Sequence, residues 1–85
     1  MDTYDPTNEY DILLMIFRFI RDYDTATATL AYVTKQLLWW LNAGGDDARM
    51  IDDRQPDFRT VEVNGHRYRI IRNPGWSHYE VRRTA

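Results

Sequence analysis

Cysteine is absent from the 85-residue chain, which excludes both a disulfide framework and a thiolate metal site and makes an intracellular, cytoplasmic location the default expectation. Long hydrophobic runs are also missing. The longest, Ile12 to Phe17, falls far short of the roughly 20 apolar residues that span a bilayer, so no membrane partner is expected. The opening MDTYDPTNEYD lacks the positively charged region with which a secretory signal starts. No P-loop, no glycine-rich dinucleotide turn and no HExxH motif occurs. No internal repeat or low-complexity tract interrupts the chain.

What is present belongs to a globular chain, with 44% hydrophobic and 14% aromatic residues, well above the content of disordered segments. At this length residues 1 to 85 form one small domain. Its single core is only just sufficient, because small chains bury a lower fraction of their surface. Any further hydrophobic face is therefore best covered by a partner. The formal charge of −2 hides an asymmetry. Residues 1 to 53 hold ten acidic and four basic side chains, about −6, while residues 54 to 85 hold three and seven, about +4. Ten of the eleven basic residues are arginine. That bias suits bidentate or stacked contacts and also arises from a GC-rich genome.

The patterning predicts an α+β domain, two N-terminal helices followed by a three-stranded antiparallel meander. Asp5 as cap with Pro6 in the first helical position opens a helix over 6–23. After its first turn only Asp11, Arg18, Arg21 and Asp22 make it polar, in a narrow stripe. A helix this apolar is buried on more than one side, as the centre of the fold or as a dimerisation helix. Asp24 begins a second cap signal, with a helix over 25–42 ended by Ala43-Gly44-Gly45. Leu30, Val33, Leu37 and Leu41 fall on one stripe with Trp40 at its edge, and Tyr32 and Trp39 fall on the opposite side beside Lys35 and Gln36. Residues 43–57 are acidic and glycine-marked and predict a loop, with one helical turn around Ala48 to Ile51.

The stretch FRTVEVNGHRYRII is two alternating segments joined by Asn64-Gly65, the pair favoured in a type I′ turn. It predicts strands over 58–63 and 66–72, with Val63 opposite His66 and Glu62 opposite Arg67. A turn at Pro74-Gly75 leads to a third strand over 77–82. With Arg72 opposite Ser77, Arg69 meets Glu80 and Tyr68 meets Val81. One face then carries Val61, Val63, Tyr68, Ile70, Tyr79 and Val81, and the other is mostly charged.

No constellation points to catalysis, metal or cofactor. Asp46, Asp47, Asp52 and Asp53 lack the alternating oxygen ligands and central glycine of a calcium loop. Pro56-Asp57 and Glu62 follow part of the PD-(D/E)xK nuclease spacing, but Asn64 stands where that motif places lysine. Ser77 and His78 are adjacent on a strand and point to opposite faces, which breaks a nucleophile and base pairing. Two binding readings are left. Tyr32 and Trp39, with Gln36 and Lys35, form an apolar patch separate from the core stripe, of the residue types that anchor interfaces. The expected function is a non-enzymatic protein-binding module that engages another protein or a second copy of itself, such as a small regulator or inhibitor from a phage or mobile element. The alternative is nucleic-acid binding through Arg59, Arg72, Trp76, Arg82 and Arg83, the basic residues that the expected cross-strand pairing leaves unmatched, with an aromatic among them.

Overall fold

The computed structural model describes residues 3–84. Helices α1 (Glu9–Ile20) and α2 (Leu30–Ala43) are followed by strands β1 (Ala48–Asp52), β2 (Phe58–Val63), β3 (His66–Arg72) and β4 (Tyr79–Arg83). The strands form one antiparallel sheet in the order β1-β2-β3-β4. The α+β class is as expected, but the sheet has four strands, not three. No helix among the described residues is long and apolar enough to cross a membrane.

Both helices are shorter than their sequence patterns, because short polar side chains close turns ahead of them. Asp5 accepts hydrogen bonds from the backbone and hydroxyl of Thr7, at 2.9 and 2.7 Å, and so caps a turn rather than a helix. Asn8 caps α1 instead, accepting from the N–H groups of Tyr10 and Asp11. Asp24 likewise spends its carboxylate on the N–H of Ala26, and Thr29 caps α2 by accepting from Tyr32. The intervening segment pairs with the start of β4 rather than coiling. Asp24 bridges to His78, the Thr25 N–H reaches the Ser77 carbonyl, and the Thr25 hydroxyl reaches the Trp76 carbonyl at 2.8 Å.

The fourth strand is β1, in the stretch expected to be an acidic loop with a helical turn. Ala48 pairs with Val63, Arg49 with Glu62 and Met50 with Val61; a bulge after Met50 brings Asp52 opposite Thr60. Ala48 and Met50 turn inward and Arg49 outward. The side-chain amide of Asn42 holds the strand's first residue, donating to the Ala48 carbonyl at 2.9 Å and accepting its N–H at 3.0 Å.

The β2–β3 hairpin has the expected register, Val63 opposite His66 through Phe58 opposite Ile71. Asn64 (φ 52°) and Gly65 (φ 88°) take the left-handed conformations that the turn requires. The β3–β4 register is two residues away from expectation. Arg72 faces Tyr79, Ile70 faces Val81 and Arg69 faces Arg82. Residues 76–78 pair with Asp24 and Thr25, so β4 begins only at Tyr79. An even shift preserves which face each side chain takes, and Tyr79 stays buried.

Both helices cover one face of the sheet side by side, α1 over β4 and α2 over β1 to β3. Between the layers lie Ile12, Ile16 and Ile20 of α1, Leu30, Val33, Leu37 and Leu41 of α2, and Val61, Val63, Tyr68, Ile70 and Tyr79 of the sheet. Helix α1 is thus neither central nor all-buried: it hides an i, i+4, i+8 stripe and leaves Tyr10, Leu14 and Phe17 exposed. Two core tyrosines tie the layers together. Tyr68 donates its hydroxyl to the Glu9 carbonyl at 2.7 Å and Tyr79 donates to the Ala28 carbonyl. Burial, reinforced by the Glu9 carboxylate, pushes the Tyr68 hydroxyl up to about 12.

Candidate functional site

Because α1 and α2 sit beside each other on the sheet, their outer faces meet along a groove. On α1 the residues at i, i+4 and i+8 that turn toward it are Asp11, Met15 and Phe19, then Tyr23 just past the helix end. Helix α2 contributes Trp40, and the N-terminal segment contributes Tyr4 as a side wall. The open hollow they enclose is about 660 Å³, with Leu14, Arg18 and Asp22 at its rim. A smaller hollow of about 400 Å³ lies on the other side of Trp40, between Tyr4, Met15 and Trp39.

The aromatic rings form a continuous ladder across the helices. Tyr32 meets Tyr23 edge-on at 6.2 Å, Tyr23 tilts against Phe19 at 5.7 Å, and Phe19 stacks on Trp40 at 4.7 Å. These separations lie in the range where ring quadrupoles add to area burial. The ladder is exposed at both ends, Tyr32 at 51% and Trp40 at 39%, and Trp39 beside it is 68% exposed.

The Tyr4 wall is pinned rather than loose. Its hydroxyl donates to Asp46 Oδ1 at 2.9 Å, and burial together with that carboxylate holds its pKa well above the ordinary tyrosine value. Asn64 Nδ2 donates to the same Asp46 oxygen and to the Pro6 carbonyl, both at 2.9 Å, and Asn64 Oδ1 accepts the Asp47 N–H at 2.8 Å. His66 Nε2 lies 3.0 Å from the Thr7 carbonyl. The turn that closes the hairpin therefore also fixes the N-terminal segment along the groove.

Of the residues singled out for partner binding, Tyr32 stands at one end of the ladder and Trp39 at the smaller hollow. Lys35 is exposed and Gln36 half-buried, and neither lines a hollow. Trp40, placed by helical phase at the edge of the core stripe, lies over Phe19 and is 39% exposed, because α1 is beside α2 and the sheet is beneath both. Tyr4, Met15, Phe19 and Tyr23 were not singled out. Their signal was the i, i+4, i+8 spacing of Met15, Phe19 and Tyr23, on a helix whose sequence is apolar on too many sides for one face to stand out.

The basic set does not come together as a whole, although Arg59 and Arg72 line one hollow beside the start of α2. Arg59 donates to the carbonyls of Gln55 and Phe58. Arg72 lies near the Tyr79 hydroxyl, Trp76 stacks on His78 at 5.5 Å, and Arg83 pairs with Glu9 at 2.9 Å while covering the Tyr10 ring at 4.6 Å. Arg82 stands opposite Arg69 and has no ion pair among the described residues. The acidic residues are likewise dispersed: Asp46 serves Tyr4 and Asn64, and Asp52 binds Arg54 at 3.2 Å. Among the described residues no three histidine, aspartate or glutamate side chains converge as an ion site. Glu62 lies between Arg49 at 2.6 Å and Arg67 at 3.4 Å. These bonds, that to Arg49 foremost, hold its carboxyl below the usual range. Compared with protein-family models, with curated proteins and with solved structures, the chain has no match.

Proposed function

We propose that the chain is a non-enzymatic protein-binding module whose docking site is the aromatic groove of α1 and α2. The observation that carries this reading is the ladder Tyr32, Tyr23, Phe19 and Trp40, continuous across two helices, with Tyr32 and Trp40 exposed at its ends and Phe19 and Tyr23 half-buried between them. Exposed apolar surface rimmed by charge is the usual mark of an interaction site, and tryptophan and tyrosine are its commonest anchors. The walls are preformed, since Tyr4 is held by Asp46 and Trp40 by Phe19. Little ordering cost is then left for the moment of binding. An apolar segment of another protein, or the same face of a second copy, fits such a groove. A small domain that presents one preformed face suits a regulator or inhibitor that acts by covering its target.

The test is a pair of variants at exposed groove positions, Leu14→Asp and Trp39→Ala, with folding verified by circular dichroism. Light scattering on the pure protein reports self-association, and quantitative capture from the native cell extract reports other partners. The reading expects that the self-associated species, or one captured protein, is lost in both folded variants. Capture and oligomeric state identical to the parent overturn it.

A further inference from the structure

The sheet has a second face, turned away from the helices, and its composition follows from the register. Residues that alternate with the buried Val61, Val63, Tyr68, Ile70 and Tyr79 point outward. They stand in rows across the strands: Arg49, Glu62 and Arg67 in one, then Asp52, Thr60, Arg69 and Arg82, then Phe58, Ile71 and Glu80. The middle row departs from ordinary sheet chemistry. Arg69 and Arg82 are direct cross-strand partners, a like-charge placement that opposes folding. The two-residue shift of β4 carries Glu80 away to face Ile71, so the acid that alternation alone would set against Arg69 is gone.

Neither guanidinium makes an ion pair among the described residues, although Arg69, after the directly bonded Arg54, helps hold the Asp52 carboxyl below its ordinary range. The described ion pairs of this face are Glu62 with Arg49 and Arg67, and Asp52 with Arg54. Arg69 lies over the Phe58 ring at 4.4 Å, which orients it without cancelling its charge. The three rows hold four arginines, Arg49, Arg67, Arg69 and Arg82, against three carboxylates, Asp52, Glu62 and Glu80. One of those three is shared by two arginines. A local rule broken at a solvent-facing position is where a functional site is expected.

We propose that this open face binds the phosphate backbone of a nucleic-acid strand, with Arg69 and Arg82 as the central phosphate contacts and Arg67 and Arg49 extending the track. Guanidinium forks match phosphate oxygens in bidentate geometry. A phosphate backbone needs no apolar anchor, whereas a protein partner does. The exposed large apolar side chains lie on the helices and the N-terminal segment, save Ile51 at the edge of the sheet. The site is distinct from the helical groove and stands or falls without it.

The test is fluorescence anisotropy of a labelled mixed-sequence single-stranded oligonucleotide with the parent and an Arg69→Gln/Arg82→Gln double variant, at several salt concentrations. For single strands each phosphate contact contributes about 0.7 to the slope of log affinity against log salt. Losing two lowers the slope by about 1.4, roughly 60-fold in affinity at about 50 mM salt when extrapolated from about 1 M. The melting temperature of the double variant stays close to that of the parent, since relief of the repulsive pair offsets loss of the Arg69 contact with Phe58, so lost binding is not lost folding. No binding by the parent at low salt, or a double variant that binds like the parent, overturns the proposal. Equal displacement of the probe by polyglutamate assigns the face to an acidic protein, and displacement by inorganic phosphate at a few millimolar assigns it to a small phosphate ligand. Either result also overturns it.

Discussion

Replacing Trp40 by alanine tests whether the groove is built as described, because the two neighbouring tryptophans should respond differently. Truncating a fully buried tryptophan costs about 3 to 5 kcal/mol. Trp40 is 39% exposed, so about three-fifths of its surface is covered, chiefly against Phe19 at 4.7 Å. The expected loss is about 2 to 3 kcal/mol. Trp39 is 68% exposed, and the same scaling gives about 1 kcal/mol. For a domain of this size 1 kcal/mol moves the melting temperature by about 4 to 8 °C, so Trp40→Ala should melt about 10 to 20 °C below the parent and Trp39→Ala about 5 °C below. Thermal denaturation followed by circular dichroism measures both. A double-mutant cycle with Phe19→Ala isolates the stack, with an expected coupling of about 0.5 to 1.5 kcal/mol. Equal losses at the two tryptophans, or a coupling indistinguishable from zero, would refute the placement of Trp40 on Phe19 and with it the ladder.

Four further outcomes are expected. Tyr79→Phe removes the donor to the Ala28 carbonyl and should cost about 1 to 2 kcal/mol in urea denaturation. Tyr68 should titrate late: its folded value of about 12 stands above the ordinary 10, so its contribution to stability is complete below pH 10 and is lost as pH rises toward 12, visible as a delayed tyrosinate absorbance step. Glu62 has the opposite sign. Its folded value is depressed by Arg49 and Arg67, so its contribution is present above about pH 4 and fades as pH falls below that; Glu62→Gln should flatten the acid limb of stability against pH. Gly65→Ala forces a side chain into φ 88° and should cost about 1 to 2 kcal/mol, read from the denaturation midpoint.

Much of the fold was legible because its information is local. Asn64-Gly65 and the alternation on either side specify a hairpin and its register together, since a two-residue turn leaves no freedom in pairing. The stripe Leu30, Val33, Leu37 and Leu41 was readable from helical phase and is buried. The proposed interaction face was only half legible. Tyr32 and Trp39 stood out because α2 has one clear core stripe. Phe19 and Tyr23 did not, because the apolar residues of α1 are spread around its girth, and nothing local says which of them a neighbouring helix covers.

The sequence by itself determined the two helices, the central hairpin and the side of the sheet to which the residues of β2, β3 and β4 point, because periods of 3.6 and 2 and a turn dipeptide act over a few residues. Only the tertiary structure decided the rest. Ala48–Asp52 becomes a strand because the free edge of β2 and the side-chain amide of Asn42 satisfy its backbone, a condition set by residues outside the segment. Strand β4 slides by two residues because Asp24 and Thr25 claim residues 76–78 first. That slide sets Arg82 against Arg69, and the side-by-side seating of the helices brings Trp40 over Phe19. Alternation fixes a strand's faces but not its register, and helical phase fixes a stripe but not what lies against it, so both proposed binding surfaces belong to the packed chain rather than to any one of its segments.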